Sequence, residues 1–317
     1  LFRSAGNSSE ALMGGLRDTS GPYDNALDTL SIESSMSRSD SFIPVTVQFR
    51  RLSVEVSDKS GLRRTILHDL NGTFRAGTLT AIMGASGSGK TTFLNELAGF
   101  DSIGVTRGEI LFNGSKRSAR KQRKMMKYVQ QDDLLMGHLT VQETLEYAAF
   151  FCLPPGTTSL QRKLRISKVI QSFRLDGCRN VLVGSSEKKG ISGGQRKRLH
   201  IAAEIISDPT FMLLDEPTTG LDSRTSLTCI DFLRDMAHSG RTVICTIHQP
   251  GAELFSMFDN IMLLCRGQIA YYGPTSAVVD SFGAVGLKCP LYHNPADYIV
   301  EVVHQHETAR VMDLIDR

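Results

Sequence analysis

Apolar and polar residues alternate in two consecutive runs after residue 43, which is the pattern of half-buried β-strands. The runs are Val45-Val47-Phe49 and Leu52-Val54-Val56, and they end at a polar turn over residues 57–61. A period of two places successive apolar side chains on the same face of a strand. The pattern therefore predicts that a folded domain begins at residue 43.

Short apolar runs alternate with helical segments in the rest of the chain. Predicted strands are Leu79–Met83, Phe211–Leu214 and Thr242–Ile247, and predicted helices are Thr91–Ala98, Leu160–Leu175 and Ser223–His238. A capping-box spacing at Thr140 and Glu143 predicts a further helix, and Asn294-Pro295 predicts the start of a last one. Asn113-Gly114 predicts a hairpin turn. Strands that alternate with helices predict an α/β sheet.

The composition excludes several classes of protein. Of the 317 residues, 41% are hydrophobic and 22% are charged, which is the balance of a globular protein and not of a disordered one. The 36 Lys and Arg residues nearly offset the 33 Asp and Glu residues, so the formal net charge is only +3. Such a charge provides no overall field for a polyanion, and we expect any anion site to be local. No apolar run reaches the roughly 18 residues of a membrane span.

The N-terminal composition and the cysteines predict what surrounds this domain and in which compartment it lies. Residues 1–42 are rich in Ser, Gly, Asn and Asp, and are predicted to form a disordered N-terminal tail. Six scattered cysteines without metal-site spacing are expected to be reduced core thiols. Because the chain also starts at Leu1, without the features of a signal peptide, it is expected to be a cytosolic fragment.

The clearest chemical signal is a glycine-rich loop between a predicted strand and a predicted helix. The sequence Gly84-Ala85-Ser86-Gly87-Ser88-Gly89-Lys90-Thr91 matches the pattern GxxxxGK[ST]. Glycines let backbone amides turn toward phosphate oxygens, Lys90 adds a positive charge, and the Thr91 hydroxyl can bind Mg²⁺. The loop predicts a site for a nucleoside triphosphate.

Two further stretches predict other parts of a phosphate-transfer site. Phe211–Leu214 is an apolar strand that ends in Asp215 and Glu216, so Asp215 can reach a metal while Glu216 polarises a water molecule. Ser192-Gly193-Gly194-Gln195 leads into a predicted helix, where a hydroxyl and free amides favour an anion. A second phosphate-binding helix end is therefore predicted at residues 192–195.

The order and spacing of these motifs resemble the ATP-binding cassette (ABC) ATPase family. Residues 84–91 resemble its Walker A loop, residues 211–216 its Walker B strand, and residues 192–195 its signature. The resemblance implies an α/β, P-loop NTPase fold with a RecA-like mixed-sheet core, an antiparallel β subdomain and a helical signature subdomain. It also implies two cassettes that dimerise head to tail around two ATP molecules, with Mg²⁺ as the second cofactor.

The same resemblance implies a set of site residues. Glu216, His248 and Gln131 are implied to act in hydrolysis, with His248 as the sensor of the γ-phosphate, Gln131 as the Q-loop glutamine and Gln130 as its competitor. Thr91, Gln131 and Asp215 are implied to hold Mg²⁺. The residues implied to bind ATP are Gly84, Ala85, Ser86, Gly87, Ser88, Gly89, Lys90, Thr91, Thr92, Ser192, Gly193, Gly194, Gln195 and, in the D-loop, Asp222.

Three further strings resemble subfamily G of that family, the white-type half transporters: Thr218–Ser223, Thr246–Pro250 and Tyr292–Asp297. The resemblance implies that residues 43–303 form the nucleotide-binding domain and residues 304–317 a linker toward a membrane domain absent from this sequence. It implies a membrane-associated cassette on the cytosolic face, a second half transporter as partner, and no nucleic acid. The cargo implied is a sterol, another lipid or another hydrophobic compound, and the strings most resemble the sterol-exporting branch.

Other interpretations stay open at this point. A soluble ABC ATPase of DNA repair would have a long coiled coil between Lys90 and Ser192, and a translation factor would have two cassettes; the sequence has neither. A regulatory module without turnover is disfavoured by the intact Glu216 and His248. The basic run Lys116–Lys124 fits a solvated surface, an anionic leaflet or, third, nucleic acid. Val56 stands where this family often stacks adenine on an aromatic residue, so we expect a weak apolar contact to the base.

Overall fold

The computed structural model describes residues 43–57, 63–100, 104–116, 125–185 and 189–305. The predictions for the tail at residues 1–42 and for most of the basic run and the linker lie outside these residues. The strands are β1 Val47–Ser57, β2 Arg63–Phe74, β3 Leu79–Met83, β4 Gly104–Phe112, β5 Ser115–Lys116, β6 Met126–Val129, β7 Phe211–Leu214, β8 Thr242–Thr246, β9 Asn260–Cys265 and β10 Gln268–Pro274. The α-helices are α1 Lys90–Ala98, α2 Val141–Cys152, α3 Ser159–Ser172, α4 Gly193–Ile205, α5 Ser223–His238, α6 Ala252–Ser256, α7 Val278–Ala284 and α8 Pro295–Gln305.

A four-stranded antiparallel sheet has the strand order β2-β1-β4-β5. In β1 the two predicted alternating runs are joined by a bulge, because Arg51 adopts a left-handed conformation with φ of 49°. The bulge shifts the register between Phe49 and Leu52, so both side chains face the core even though they are three residues apart. The predicted hairpin at Asn113-Gly114 joins β4 to β5.

A six-stranded mixed sheet forms the centre of the domain, with the order β10-β9-β3-β8-β7-β6. Five strands are parallel to their neighbours, and the edge strand β10 runs antiparallel to β9. All residues of β3, β7 and β8 are buried, as expected for strands that are covered on both faces. Because side chains alternate along a strand, Leu213 packs toward the antiparallel sheet while Leu214 packs toward the helices.

The helices α2, α3 and α4 form a helical region on the far side of the central sheet from the antiparallel sheet. Thr140 and Glu143 make the predicted capping box at the start of α2. Ile166, Val169 and Ile170 of α3 are buried in the core, as the amphipathic pattern predicted. The α/β fold with a mixed core, an antiparallel sheet and a helical subdomain is therefore confirmed.

The prediction of reduced core thiols is confirmed for three of the six cysteines, whereas Cys265 and Cys289 are half-buried and Cys152 is exposed. All six cysteines are free, and the three buried ones are Cys178, Cys229 and Cys245. Cys152 is the last residue of α2, where the helix ends at the surface, so its thiol is not a core group. In the described part of the chain, no helix combines the length and apolarity needed to cross a membrane.

Candidate functional site

The glycine-rich loop lies between the buried strand β3 and the start of α1 at Lys90. Gly84 allows a close approach of backbones, because a Cβ atom there would lie 2.2 Å from the Leu264 carbonyl oxygen. The Lys90 ammonium donates hydrogen bonds to the carbonyl oxygens of Gly84 at 2.8 Å and Ala85 at 3.0 Å. These contacts curl the loop around the ammonium group, with Ser86 and Gly87 exposed at its outer edge.

The loop has the features of an anion site. Burial lowers the pKa of Lys90, while the carboxylates of Glu216 and Asp215 oppose that shift. Ser88 Oγ is buried without a hydrogen-bond partner, so it is an unsatisfied polar atom within the loop. Thr91 and Thr92 follow at the start of α1, where Thr91 is exposed and Thr92 is half-buried. An unsatisfied hydroxyl, a buried ammonium and a helix N-terminus fit phosphate oxygens.

Asp215 and Glu216 lie where β7 ends, beside the neighbouring strand β8. Thr246 joins them: its hydroxyl donates to Asp215 Oδ1 at 2.5 Å and accepts from the Glu216 amide at 2.8 Å. Asp215 is buried, Glu216 is half-buried, and Glu216 has a left-handed backbone with φ of 49°. Strain of this kind is found where the surrounding structure holds a functional side chain in place. The structure therefore directs the two carboxylates to different surroundings.

The Glu216 carboxylate is held by one side chain from another loop and one from its own loop. Gln131 Nε2 donates to Glu216 Oε2 at 3.1 Å, and the Thr219 hydroxyl donates to the same oxygen at 3.0 Å. Of the two glutamines that the sequence left open, it is Gln131 that makes this contact. The Gln131 carbonyl oxygen in turn accepts a 2.7 Å hydrogen bond from the buried Lys197 ammonium of α4. A chain of hydrogen bonds thus links α4 to Glu216.

Ser192–Gln195 forms the start of α4 with a complete capping box. The Ser192 hydroxyl accepts from the Gln195 amide at 3.2 Å, and Gln195 Oε1 accepts from the Ser192 amide at 2.9 Å. Ser192 and Gly193 are exposed, and Gly194 and Gln195 are half-buried. None of the four lines the described cavities beside the glycine-rich loop. This helix end is therefore exposed and shares none of these cavities with the loop of its own chain.

Asp222 caps the start of α5 and is exposed. Its carboxylate accepts from the Thr225 amide at 2.9 Å and from the Thr225 hydroxyl at 2.7 Å. These hydrogen bonds, that from the hydroxyl most of all, lower the pKa of Asp222. Asp222 is therefore anionic at neutral pH and helps to begin α5.

His248 lies just after β8 at the edge of a cavity of about 360 Å³. The cavity is also lined by Gly84–Ser86 of the glycine-rich loop and by Asp297, Val300 and Glu301 of α8. A second cavity of about 230 Å³ follows the same loop from Gly84 to Ser88. The loop and His248 thus share one cavity, although they are far apart in the sequence.

A third cleft lies on the other side of the loop and was not predicted. It measures about 420 Å³ and is lined by Gly87 together with Arg64, Thr65, Ile66, His68 and Arg266. Val56 is half-buried in β1, opposite Arg64 of β2. The prediction of a weak apolar contact between Val56 and the base stays a prediction.

The predicted Mg²⁺ ligands have the right chemistry for a hard cation. Thr91, Gln131 and Asp215 offer a hydroxyl, an amide and a carboxylate oxygen, which are the groups that Mg²⁺ accepts alongside phosphate and water. Within the described ranges, no group of three or more His, Cys, Asp or Glu side chains converges to form a metal cage of its own. The residues therefore fit a metal that is bound together with a polyphosphate.

Sequence reasoning missed three residues that organise the site. Thr246 and Thr219 contact the Asp215–Glu216 pair, and Lys197 holds the Gln131 backbone. The position of Thr246 at the end of the strand before His248 was a usable signal. If β8 is expected to lie beside β7, the Thr246 hydroxyl is expected beside Asp215. Thr219 lies three residues after Glu216 in the same loop, whereas Lys197 acts on a segment 66 residues earlier that no local pattern connects to it.

Comparisons of the sequence with known proteins point to the same family as the motifs. A family model described as "ABC transporter" matches residues 67–219, and one described as "ABC-2 type transporter" matches residues 248–312. The chain is 42% identical over 83% of its length to ABC transporter G family member 22 of Arabidopsis thaliana, of which it covers 35%. It is 42% identical over 76% of its length to Protein white of Drosophila melanogaster, of which it covers 36%.

Two further similarities extend this picture. The chain is 39% identical over 85% of its length to the Broad substrate specificity ATP-binding cassette transporter ABCG2 of Bos taurus, of which it covers 42%. The chain thus spans well under half the length of these three relatives. A solved structure of the ATP-binding cassette MJ0796, described as a dimeric post-hydrolysis state bound to ADP and Pi, has a TM-score of 0.61 and 24% identity. That similarity covers 72% of this chain and 98% of the other, and it shows a shared fold. The chain belongs to the ATP-binding cassette transporter family, in its subfamily G, and carries the ATPase cassette of such a transporter.

Proposed function

We propose that two copies of this cassette, or this cassette and that of a related half transporter, close head to tail around two ATP molecules. Each ATP then lies between the loop at Lys90 of one copy and residues 192–195 of the other. The observation that carries the proposal is the exposed start of α4: Ser192 and Gly193 are exposed, and none of residues 192–195 lines the cavities beside the glycine-rich loop of its own chain. A second chain would complete each site.

Hydrolysis would proceed from the groups around β7 and β8. Glu216 polarises the attacking water, and its ties to Gln131 and Thr219 hold the carboxylate in place until nucleotide binds. His248 contacts the γ-phosphate across the cavity that it shares with the loop. Mg²⁺, held by Thr91, Asp215 and Gln131, would neutralise phosphate charge. Asp222 would contribute to the seam between the two copies.

The second part of the proposal is that ATP turnover drives export through a membrane domain, with the cassette on the cytosolic face. Exposed apolar side chains support such a contact: Leu134, in the loop before α2, is 88% exposed, and Phe151 and Phe150, near the end of α2, are 75% and 63% exposed. Exposed aromatic and aliphatic side chains of this kind mark a surface that another structure covers. The match of residues 248–312 to an ABC-2 type transporter model supports a connection to such a domain, and residues 304–317 are proposed as the linker. A sterol, another lipid or another hydrophobic compound is the proposed cargo, and no nucleic acid is required.

The shared site can be tested by complementation between two inactive variants of the intact protein. Lys90→Ala removes the ammonium from the phosphate loop, and Ser192→Arg blocks the exposed helix end. Each variant alone should lose ATPase activity, because both of its sites are damaged. When the two are co-expressed, a mixed dimer has one site with both defects and one site with none, so activity should return.

The control is co-expression of Lys90→Ala with itself under a second affinity tag, which should stay inactive. Isolating dimers through two different tags ensures that only mixed pairs are measured. If the purified mixed dimer is as inactive as its parents, the two damaged elements act within one chain and the head-to-tail site is contradicted.

A further inference from the structure

The turn that carries His248 is weakly held by its own neighbours. It joins β8 to α6, and its Gln249 has a left-handed backbone with φ of 42°, which an L-residue adopts at a cost. The turn is bounded by hydrogen bonds from the Ile247 amide to the Ile82 carbonyl oxygen, 3.1 Å, and from the Phe255 amide to the Gly251 carbonyl oxygen, 2.9 Å. A strained and exposed turn needs support from elsewhere to keep one conformation.

That support comes from Asn294, at the start of the C-terminal helix α8. Asn294 Nδ2 donates to the Pro250 carbonyl oxygen at 2.9 Å, and this is the one hydrogen bond that reaches residues 248–250 from anywhere in the described part of the chain. The same nitrogen donates to Asp297 Oδ2 at 2.9 Å. Asn294 Oδ1 accepts from the Ala296 amide at 3.2 Å, so the half-buried amide uses both of its ends.

The helix α8, which follows Asn294, is anchored in the hydrophobic core. Ala296, Ile299, Val302 and Val303 of α8 are buried in the same core as Ile247 and Phe255, which flank the turn. On its other side, α8 places Asp297, Val300 and Glu301 in the wall of the cavity that contains His248. The helix therefore packs against α6, which follows the turn, and also borders the proposed phosphate site.

We propose that Asn294 is a positioning residue for His248. Its carboxamide fixes Pro250 to α8 and so limits the positions that the imidazole can take at the edge of the cavity. This inference rests on the proposed role of His248 toward the γ-phosphate. From the sequence, Asn294 is expected only to cap a helix. In the structure its Nδ2 also donates a hydrogen bond to Pro250, which lies 44 residues earlier in the turn.

The test separates the two ends of the amide in the intact protein. Asn294→Asp keeps the oxygen that caps Ala296 but replaces the donor by an acceptor that faces Pro250 and Asp297. We expect ATP hydrolysis to fall about tenfold in kcat, with KM for ATP unchanged, because a displaced catalytic group lowers the rate without removing the phosphate contacts. Amide hydrogen exchange without nucleotide should become faster at Ile247 and Phe255. Asn294→Ser keeps a capping oxygen without a charge and should behave in the same way.

His293→Asp is the matched control, because it places the same charge one residue earlier on an exposed side chain without touching Pro250. It should keep normal exchange and turnover. The deciding variant combines His248→Ala with Asn294→Asp: if Asn294 acts through His248, adding Asn294→Asp to His248→Ala lowers turnover by less than about a further twofold. Independent, multiplied losses, or an Asn294→Asp protein with normal exchange and turnover, overturn the inference. Normal turnover of His248→Ala alone instead contradicts the proposed function and with it this inference.

Discussion

The phosphate loop and the signature helix both offer a helix N-terminus to an anion, but they are anchored in different ways. The loop is built into the sheet core: Gly84 packs against the Leu264 backbone, the Ser88 carbonyl oxygen accepts from the Gly267 amide at 3.0 Å, and a Cβ atom on Gly89 would clash with Leu67. The start of α4 is exposed and is capped by its own residues. The first site is fixed by backbone packing, and the second is presented at a surface.

In addition to its buried residues Leu199, Ile201, Ala202 and Ile205, α4 is tied to the rest of the domain by long polar side chains. Arg196 Nε donates to Asp133 Oδ1 at 2.8 Å, Arg196 also bonds to the Gly184 carbonyl oxygen at 2.9 Å, and Lys197 bonds to the Gln131 carbonyl oxygen. Flexible side chains allow a helix to shift as a body more easily than close-packed backbones do. If two cassettes close as proposed, we expect the helical region to move while the phosphate loop stays in place.

The largest expected loss of stability and ATP binding comes from adding a single methyl group to the phosphate loop. Gly84→Ala places a Cβ atom 2.2 Å from the Leu264 carbonyl oxygen and 2.7 Å from Ser88 Oγ, with φ of 147° at residue 84. We expect a loss of about 3 kcal/mol in stability from overpacking and strain, and loss of ATP binding. Thermal unfolding and binding of a fluorescent ATP analogue to the intact protein would measure both.

Gly77→Ala is the control for Gly84→Ala. Gly77 also has a positive φ, 83°, but an added Cβ atom would meet nothing within 4 Å. It should cost about 1 kcal/mol in stability and leave ATP affinity unchanged. Equal losses from the two variants would mean that conformation alone, and not the close approach to Leu264, makes the phosphate loop rigid.

An intermediate effect is expected from Lys197→Met, which keeps the apolar stem and removes the ammonium that ties α4 to Gln131. Burial lowers the pKa of Lys197, with the charges of Asp133 and Asp215 opposing the shift. Removing this hydrogen bond should cost about 2 kcal/mol in stability, because it leaves the Gln131 carbonyl oxygen unsatisfied. Turnover should fall while ATP binding, which depends on the rigid loop, persists.

Lys163→Met, at an exposed position of α3, is the matched control for Lys197→Met and should change stability by less than about 0.5 kcal/mol. The readouts are thermal unfolding, ATPase rate and ATP affinity of the intact protein. Normal turnover in Lys197→Met would show that α4 is held by its packing alone, which would remove the contrast between the two sites.

The smallest effect is a difference in thiol reactivity between the two regions. Burial raises the pKa of the Cys229 thiol in α5 to about 12, so at pH 8 almost none of it is the reactive thiolate. Cys152, at the end of α2 in the helical region, is exposed. A maleimide reagent at pH 8 should label Cys152 within minutes and leave Cys229 unmodified until the protein unfolds, as peptide mass spectrometry would show. Early labelling of Cys229 would mean that the core opens as readily as the helical region.

The elements were predictable to the extent that their signals are local. The capping box at Thr140, the helix Ser223–His238 and the hairpin at Asn113-Gly114 follow from residues within a few positions of each other, and all three are confirmed. The bulge at Arg51 was not predicted, because a left-handed arginine depends on its partner strands: its amide bonds to Asn71 Oδ1 of β2 at 2.9 Å. Exposure of Cys152 was missed for a similar reason, since only the packing of α2 shows which face is outside.

The sequence by itself determined the phosphate loop, the paired carboxylates after β7, the signature string and the family, because each depends on residue types at fixed short spacings. The tertiary structure decided how these parts are joined. Thr246 meets Asp215 because β8 lies beside β7, Gln131 meets Glu216 through the loop after β6, and Asn294 reaches Pro250 because α8 packs on the core beside the turn. Contacts between distant segments depend on strand order and helix docking, which packing of the whole domain fixes and no local pattern encodes.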